Sequence, residues 1–482
     1  MPSLQWNTSD SDSILLLYTN DIHSHWDGAA RLASLMNRYR RHCGEKIVLL
    51  DGGDHMDRAY METEGSYGAA NVRLMNRLGY DAAVIGNNEG LTFVPERLGR
   101  VYRSNARFPV LAANVTALGT GQRPDWLKPW IEIERGGIRM GIVGVTAPYV
   151  DYYRLLGWEV GDPISSVQEA VSVLRPRVDL VVVLSHCGLT TDMKMAESTE
   201  GIDLILGGHS HHLLPDGHKA GRTWLLAAGK YGDHLGVAEC RRAPSGELEL
   251  SVRCVPVTEE LPDPIVEAEL LQARAEAARQ LSVPVAQVAE PLTVRYDRPS
   301  PFGQLLAQAL RDHTGADIGL VNAGQLLGDL PAGTVTEGML HKLCPSPINP
   351  VRMQLSGADV KQAIRESLHE EAYGRVVRGY GFRGGQLGTL CVDGLQVEWR
   401  RGPDDERIRL WLDGREIADN DRLVVGTIDM FVFGGGYPSL KNGQDITFFL
   451  PEMLRDILAV QLRKAEELRR CREERLTIVH YR

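Results

Sequence analysis

Five short apolar runs in the first half of this chain each lead into residues that can bind a metal ion. Ile14–Tyr18 runs into Asn20-Asp21-Ile22-His23, and Lys46–Leu50 into Asp51-Gly52-Gly53-Asp54. Ala82–Ile85 runs into Gly86-Asn87-Asn88-Glu89. Leu180–Leu184 runs into Ser185-His186-Cys187-Gly188, and Leu204–Leu206 into Gly207-Gly208-His209-Ser210-His211. One such residue after a strand means little. Five in succession, at the carboxyl ends of strands, is where an open α/β sheet gathers its functional groups. The set mixes carboxylate, amide and imidazole, which suits a pair of hard-to-borderline divalent ions. Two ions so held can clamp the attacking and leaving oxygens of a phosphoryl ester.

Asp21 and His23 stand two apart in what reads as an extended loop, so both can address one ion. Asp54 is the natural bridging carboxylate, and Asn87 offers a neutral carbonyl oxygen. The alternation His209-Ser210-His211 points both imidazoles to one side of an extended segment. Asp51 is expected to support its loop through backbone hydrogen bonds. His25, His55 and His212 adjoin ligands and are expected to back the site or face solvent.

The elements that must position these groups follow from the pattern around them. From Ile14 to about Val255 the chain reads strand, loop, helix, with helices over Gly28–Arg41, Ser66–Leu78 and Ser165–Leu174. Further runs are Val110–Ala113, ending in Asn114, and Met140–Val145, ending in Thr146. Glu247–Val257 alternates as a strand with no helix after it, so a mixed sheet is expected. Such alternation indicates a layered α/β domain. Asp263 is a good N-cap before Pro264, and Ile265–Gln280 is rich in helix formers, which reads as a connector. Beyond it, Phe302–Arg311 and Asp359–His369 read as helices, and Ile318–Val321 and Arg422–Thr427 as strands. Glycines cluster at Gly379–Gly388 and Gly434–Gly436, and the tail Glu452–Arg475 reads as one charged helix.

At 482 residues the chain exceeds one ordinary core, so two domains are expected. The formal charge of -10 argues against binding a nucleic-acid polymer or an anionic membrane, but not against a small anionic substrate at a metal site. No run reaches the roughly 20 apolar residues that span a bilayer. The segment Met1–Ser13 is polar and acidic, without the charge pattern of a secretory leader, so the chain reads as cytoplasmic. The seven scattered cysteines form no CxxC pair and fit reduced thiols.

The five loops together resemble the blocks of the calcineurin-like metallophosphoesterases, and more closely those of the bifunctional metallophosphatase/5′-nucleotidase family. The segment Ala227-Ala228-Gly229-Lys230-Tyr231-Gly232 adds to the likeness. It continues through Gly303–Ala307, Ala316–Gly324, Gly333–Thr336, Leu355-Ser356-Gly357 and Gly434–Pro438, so it covers nearly the whole chain. The resemblance implies an N-terminal four-layer α/β/β/α sandwich over residues 14–257 and a connector over 258–290. A smaller C-terminal α+β substrate-binding domain would occupy 291–482 and close over the substrate. It implies two divalent ions (zinc, manganese or iron). Asp21, His23, Asp54 and His211 would hold one ion; Asp54, Asn87, His186 and His209 would hold the other. The implied activity is hydrolysis of a small phosphate ester, of 5′-nucleotidase or 2′,3′-cyclic-nucleotide phosphodiesterase type. Arg295, Asn322, Phe431, Phe433 and Tyr437 are the implied substrate contacts.

Three positions depart from the family's pattern. Asn88 and Leu91 stand where the family places a histidine and an aspartate over the reacting phosphoryl group. Asn88 can donate a hydrogen bond there but brings no positive charge. Losing one charge-stabilising group costs ~100–1000-fold in rate. Gln325-Leu326-Leu327 replaces an arginine that would grip phosphate, leaving Arg295 and Arg298 as candidates. The base-stacking segments lack a Pro-Phe pair and an aspartate. Two other readings therefore stand beside the phosphoesterase: a weakened metal- and nucleotide-binding regulator, and a hydrolase of a non-nucleotide oxyanion ester.

Overall fold

The computed structural model describes residues 13–401 and 406–480. The chain divides into two compact units, residues 1–277 and 278–482. In the first unit, a seven-stranded sheet runs in the order Leu248–Pro256, His234–Arg242, Ser13–Thr19, Ile47–Asp51, Ala82–Val84, Val110–Leu111 and Leu127–Lys128. A six-stranded sheet runs His218–Ala220, Thr223–Leu226, Leu204–Gly207, Leu180–His186, Ile138–Thr146 and Trp130–Arg135.

Alternation along the strands explains why these sheets stack. Ile14, Leu16 and Tyr18 of one sheet share a buried cluster with Leu180, Val182 and Leu184 of the other. The odd set of the second sheet, Val181 and Val183, packs outward on Val167, Ala170, Val171 and Leu174 of the helix Pro163–Leu174. Leu15 and Leu17, on the outer face of the first sheet, are also fully buried. Strands buried on both faces read as continuous apolar runs, as these do. The expected α/β/β/α layering is therefore the observed one, with the mixed sheet made by the antiparallel pair Ser13–Thr19 and His234–Arg242.

Two expected helices are broken. Ser66–Leu78 is two helices, Met61–Ser66 and Ala69–Leu78. Tyr67 and Gly68 between them are left-handed, with φ of 51° and 84°. The tail is not one helix either. It forms Leu454–Gln461 and Ala465–Arg470, and then the strand Leu476–His480 pairs in parallel with Gln396–Arg401. Charge hid this turn of the chain, because only pairing with a distant strand fixes it.

The helix Pro264–Gln280 starts where Asp263 accepts from Ile265 N–H, at 2.9 Å. It is fastened to the first unit: Arg274 bonds Glu62 and Arg77 bonds Glu269, each at 2.6 Å. The second unit has a five-stranded sheet, in the order Leu390–Asp393, Ile318–Asn322, Arg422–Ile428, Pro350–Ser356 and Gln444–Phe448. Its core includes Leu305, Leu306 and Leu310 of the helix Pro301–Thr314 together with Ile318, Leu320 and Val425 of the sheet. No helix among the described residues is long and apolar enough to cross a membrane.

Candidate metal centre

The strand registers align the ligand loops. Ser13–Thr19 and Ile47–Asp51 are parallel, with Thr19 opposite Asp51, so their following loops run side by side. Those loops are laced together by Asp21 N–H to Gly53 O at 3.0 Å and His23 N–H to Asp54 O at 2.8 Å. Leu180–His186 and Leu204–Gly207 are likewise parallel, with Ser185 opposite Gly207. The first sheet thus supplies Asp21, His23, Asp54 and Asn87. The second supplies His186, His209 and His211, and the stacking of the sheets brings the two groups together.

Glu89 staples the third loop to the second. Its buried carboxylate accepts from Gly86, Asp54 and Met56 N–H groups at 2.8, 3.1 and 2.8 Å. Burial, with the Asp54 charge beside it, pushes its carboxyl up to about 8. Asn87 and Asn88 open a short helix, Asn87–Thr92, and Asn88 N–H donates to Asp54 Oδ1 at 2.7 Å. Asp51 accepts from Gly53 N–H at 3.0 Å and from Thr19 Oγ1 at 2.7 Å, the supporting role expected of it. Asn20 ties the first loop to Ala228 and Gly229.

The loops are not extended. Asp21, His23, Asp54, His209 and His211 all have left-handed backbones, with φ between 47° and 72°. For residues other than glycine this conformation is uncommon and is stored strain that clusters at functional sites. Alternation on an extended segment is therefore not what sorts the imidazoles. His211 Nε2 lies 3.4 Å from Asp21 and 3.1 Å from His23 Nε2. His209 instead turns to Asn87, with Nδ1 2.8 Å from Oδ1, and His186 Nε2 lies 3.2 Å from the same oxygen. His186 Nε2 is also 3.3 Å from Asp54.

Two groups of donor atoms each fall within 4.8 Å of one another: Asp21, His23 and His211, and Asp21, Asp54 and His186. Asp21, Asp54 and His186 are buried. Burial pushes the Asp54 carboxyl up, but the His186 and His23 charges outweigh it and hold it well below the carboxylate range. Burial alone would push His186 down, yet Asp54 raises it to about 10. Burial, with the positive His186 beside it, takes His209 down to about 4. Buried carboxylates facing imidazole nitrogens, on strained loops, are the donor set and the preformed cradle that a divalent cation requires.

The N-terminal sequence matches the calcineurin-like phosphoesterase family over residues 14–213, and residues 282–442 match the 5′-nucleotidase C-terminal domain. YunD of Bacillus subtilis, an uncharacterized metallophosphoesterase, is 36% identical over 94% of this chain and 99% of its own. This chain is a calcineurin-like metallophosphoesterase with a 5′-nucleotidase C-terminal domain. Two solved structures share the fold. The 5′-nucleotidase precursor of Thermus thermophilus is 23% identical, with a TM-score of 0.59, over 97% of this chain and 99% of its own. The NAD nucleotidase NadN of Haemophilus influenzae is 15% identical, with a TM-score of 0.68, over 98% of this chain and 99% of its own. The chain is thus a phosphoester-hydrolysing enzyme of a family that uses divalent metals.

In this metallophosphoesterase the residues expected to touch substrate are dispersed between core and surface of the second unit. Asn322 is buried, donating to Leu387 O at 2.6 Å and accepting from Gln325 Nε2 at 3.0 Å. Tyr437 is buried with its hydroxyl on Gly388 O at 2.6 Å, and Phe431 packs beside it in the core. Phe433 is 44% exposed and lies parallel to the ring of Phe448. Arg295 is exposed, 4.0 Å from Asp297, which also pairs with Arg298. Phe433 and Arg295 are therefore the two that reach solvent.

Tyr149 was not legible as a site residue. Its hydroxyl lies 3.0 Å from His209 Nε2. The signal is a sixth strand end, Thr146, followed within three residues by a tyrosine. His25 stacks on Tyr231, with ring centroids 4.4 Å apart, and Tyr231 N–H donates to Asp21 O. His55 is buried and His212 is exposed, bonded to Ser210.

Proposed function

We propose that this enzyme hydrolyses a nucleotide-type phosphate ester with a pair of divalent ions. Asp21, His23, Asp54 and His211 would hold one; Asp54, Asn87, His186 and His209 would hold the other. One observation carries the reading: two donor groups, Asp21 with His23 and His211 and Asp21 with Asp54 and His186, meet at the buried Asp21. Bound there, divalent ions supply Lewis-acid stabilisation of phosphoryl oxygens and activate water. The chain's own residues orient the donors, exclude bulk water and keep the two carboxylates charged. Phe433 offers the substrate a ring face and Arg295 a guanidinium fork. The seven free cysteines suit a reducing compartment, and we place the enzyme in the cytoplasm.

The test compares metal-loaded wild-type protein with Asp54→Ala on 5′-nucleotides, 2′,3′-cyclic nucleotides and a simple aryl phosphate. Loss of turnover in the variant is expected. Equal activity in the two proteins overturns the proposal.

A second reading, the weakened regulator, is favoured by the placement of Asn88. Its amide nitrogen faces His23 Nδ1 at 2.9 Å and donates to Met56 O at 3.0 Å. Both contacts of the amide nitrogen thus lie inside the protein. Nucleotide binding with no turnover of any ester in the panel would favour this reading.

A further inference from the structure

Three of the imidazoles in the metal centre have a partner on the nitrogen that faces away from it. His186 Nδ1 donates to Gly52 O at 2.7 Å. His23 Nδ1 faces the Asn88 amide. His209 Nε2 faces the Tyr149 hydroxyl at 3.0 Å. An imidazole can present either nitrogen, and which one is free for a metal is set by the hydrogen bond at the other. We infer that Tyr149 is a positioning residue that sets the tautomer and ring orientation of His209. The inference rests on the metal-centre reading above.

The geometry around His209 supports this. Its Nδ1 lies 2.8 Å from Asn87 Oδ1. Two donors on one ion, each at ~2.1 Å, sit about 3 Å apart, so this is the spacing of a coordinating pair. For Nδ1 to offer its lone pair, the ring proton must sit on Nε2, where the Tyr149 oxygen accepts it. His209 has a left-handed backbone, φ 72°, on a loop of small residues, Gly207-Gly208 before it and Ser210 after it.

Tyr149 is well placed to do so. The strand Ile138–Thr146 is parallel to Leu180–His186, with Thr146 opposite His186. Three residues on, Tyr149 turns back, its N–H bonding Ala147 O at 3.0 Å, just before the helix Val150–Leu155. Its ring meets His209 edge-on, with centroids 5.8 Å apart. That contact survives removal of the hydroxyl, so Tyr149→Phe isolates the hydrogen bond.

The experiment is a calorimetric titration of metal-free wild-type protein and Tyr149→Phe with manganese, beside the melting temperatures of both metal-free proteins. The expected result is a 10–100-fold loss of affinity for one ion in the variant, the range for removing such a supporting partner. Affinity for the other ion and the metal-free melting temperature should be unchanged. Wild-type affinities for both ions in Tyr149→Phe overturn the inference, as does an equal loss at both sites with a lower melting temperature. A wild-type protein that takes up no manganese overturns the metal-centre reading itself.

Discussion

His23 and His211, from loops on different sheets, point their Nε2 atoms at each other across 3.1 Å. Two imidazole nitrogens at that separation repel unless a proton or a cation lies between them. Asp21, 3.7 Å from one and 3.4 Å from the other, adds negative charge to the same point. Divalent metal should therefore bind the folded chain and not the unfolded one. At a free concentration of 100 times its dissociation constant, an ion adds about 2.7 kcal/mol of stability. Melting curves with and without a chelator read this directly. Superimposable curves would remove the case for a metal centre.

Gly86 should tolerate no side chain. A Cβ there would overlap the Asp54 carboxylate and the Asp54 N–H. The position has φ of -90°, so the cost of Gly86→Ala is purely steric. The variant is expected to lose at least 100-fold in kcat/KM through displacement of Asp54. Wild-type kinetics in Gly86→Ala would show that Asp54 has no fixed place.

The Asn88 amide nitrogen makes its contacts inside the site, to His23 and Met56. Asn88→Ala should weaken metal binding by 10–100-fold, because His23 loses its support. Asn88→His combined with Leu91→Asp should instead raise turnover, by up to ~100–1000-fold, if a charged group over the phosphoryl oxygen is what the chain lacks. Steady-state rates at saturating metal separate the two effects. No gain in the double variant would mean the chemistry runs by another route.

Asp429 sits in the second unit, far from any proposed ligand in sequence. Burial raises its carboxyl to about 7, and one of its oxygens has no hydrogen-bond partner. Its folded value lies above the ordinary carboxylate value of about 3.9. The stability it contributes is therefore full below about pH 4 and is lost as pH rises through 7. Asp429→Asn keeps an oxygen for Asn349 N–H and carries no charge. It should raise the melting temperature at about pH 8 and have little effect at about pH 4. The same increment at both values would discount the titration.

Phe433 is the exposed member of its pair. If it stacks on a base, Phe433→Ala should raise KM for a nucleotide roughly 5–150-fold, the loss of about 1–3 kcal/mol of stacking. KM for an aryl phosphate without a base should change far less. Equal effects on the two substrates would assign Phe433 to the fold.

The candidate donors were legible because a parallel sheet sends successive strand ends to one side, and each end here carries a donor. Ile14–Tyr18, Ala82–Ile85 and Leu180–Leu184 announce themselves as apolar runs, and the ligand follows in sequence. The layering was legible for the same reason. What the sequence could not show depends on contacts between distant segments. The strand Leu476–His480 exists through its pairing with Gln396–Arg401. Phe431 and Tyr437 are core, while Phe433 is not, because the turn that carries them folds onto Gly388 and Leu387.

By itself, then, the sequence determined which residues can bind metal, because donor chemistry belongs to the side chain. It also determined which ends of which strands present them, because strand periodicity is local. Only the tertiary structure decided how they are shared. The packing of two sheets placed His211 with Asp21 and His209 with Asn87, although one residue separates them. Left-handed backbone at both positions turned neighbouring rings to different partners, and a tyrosine from a sixth strand end arrived behind one of them. Such choices depend on backbone conformation and on approach in space, neither of which a linear spacing encodes.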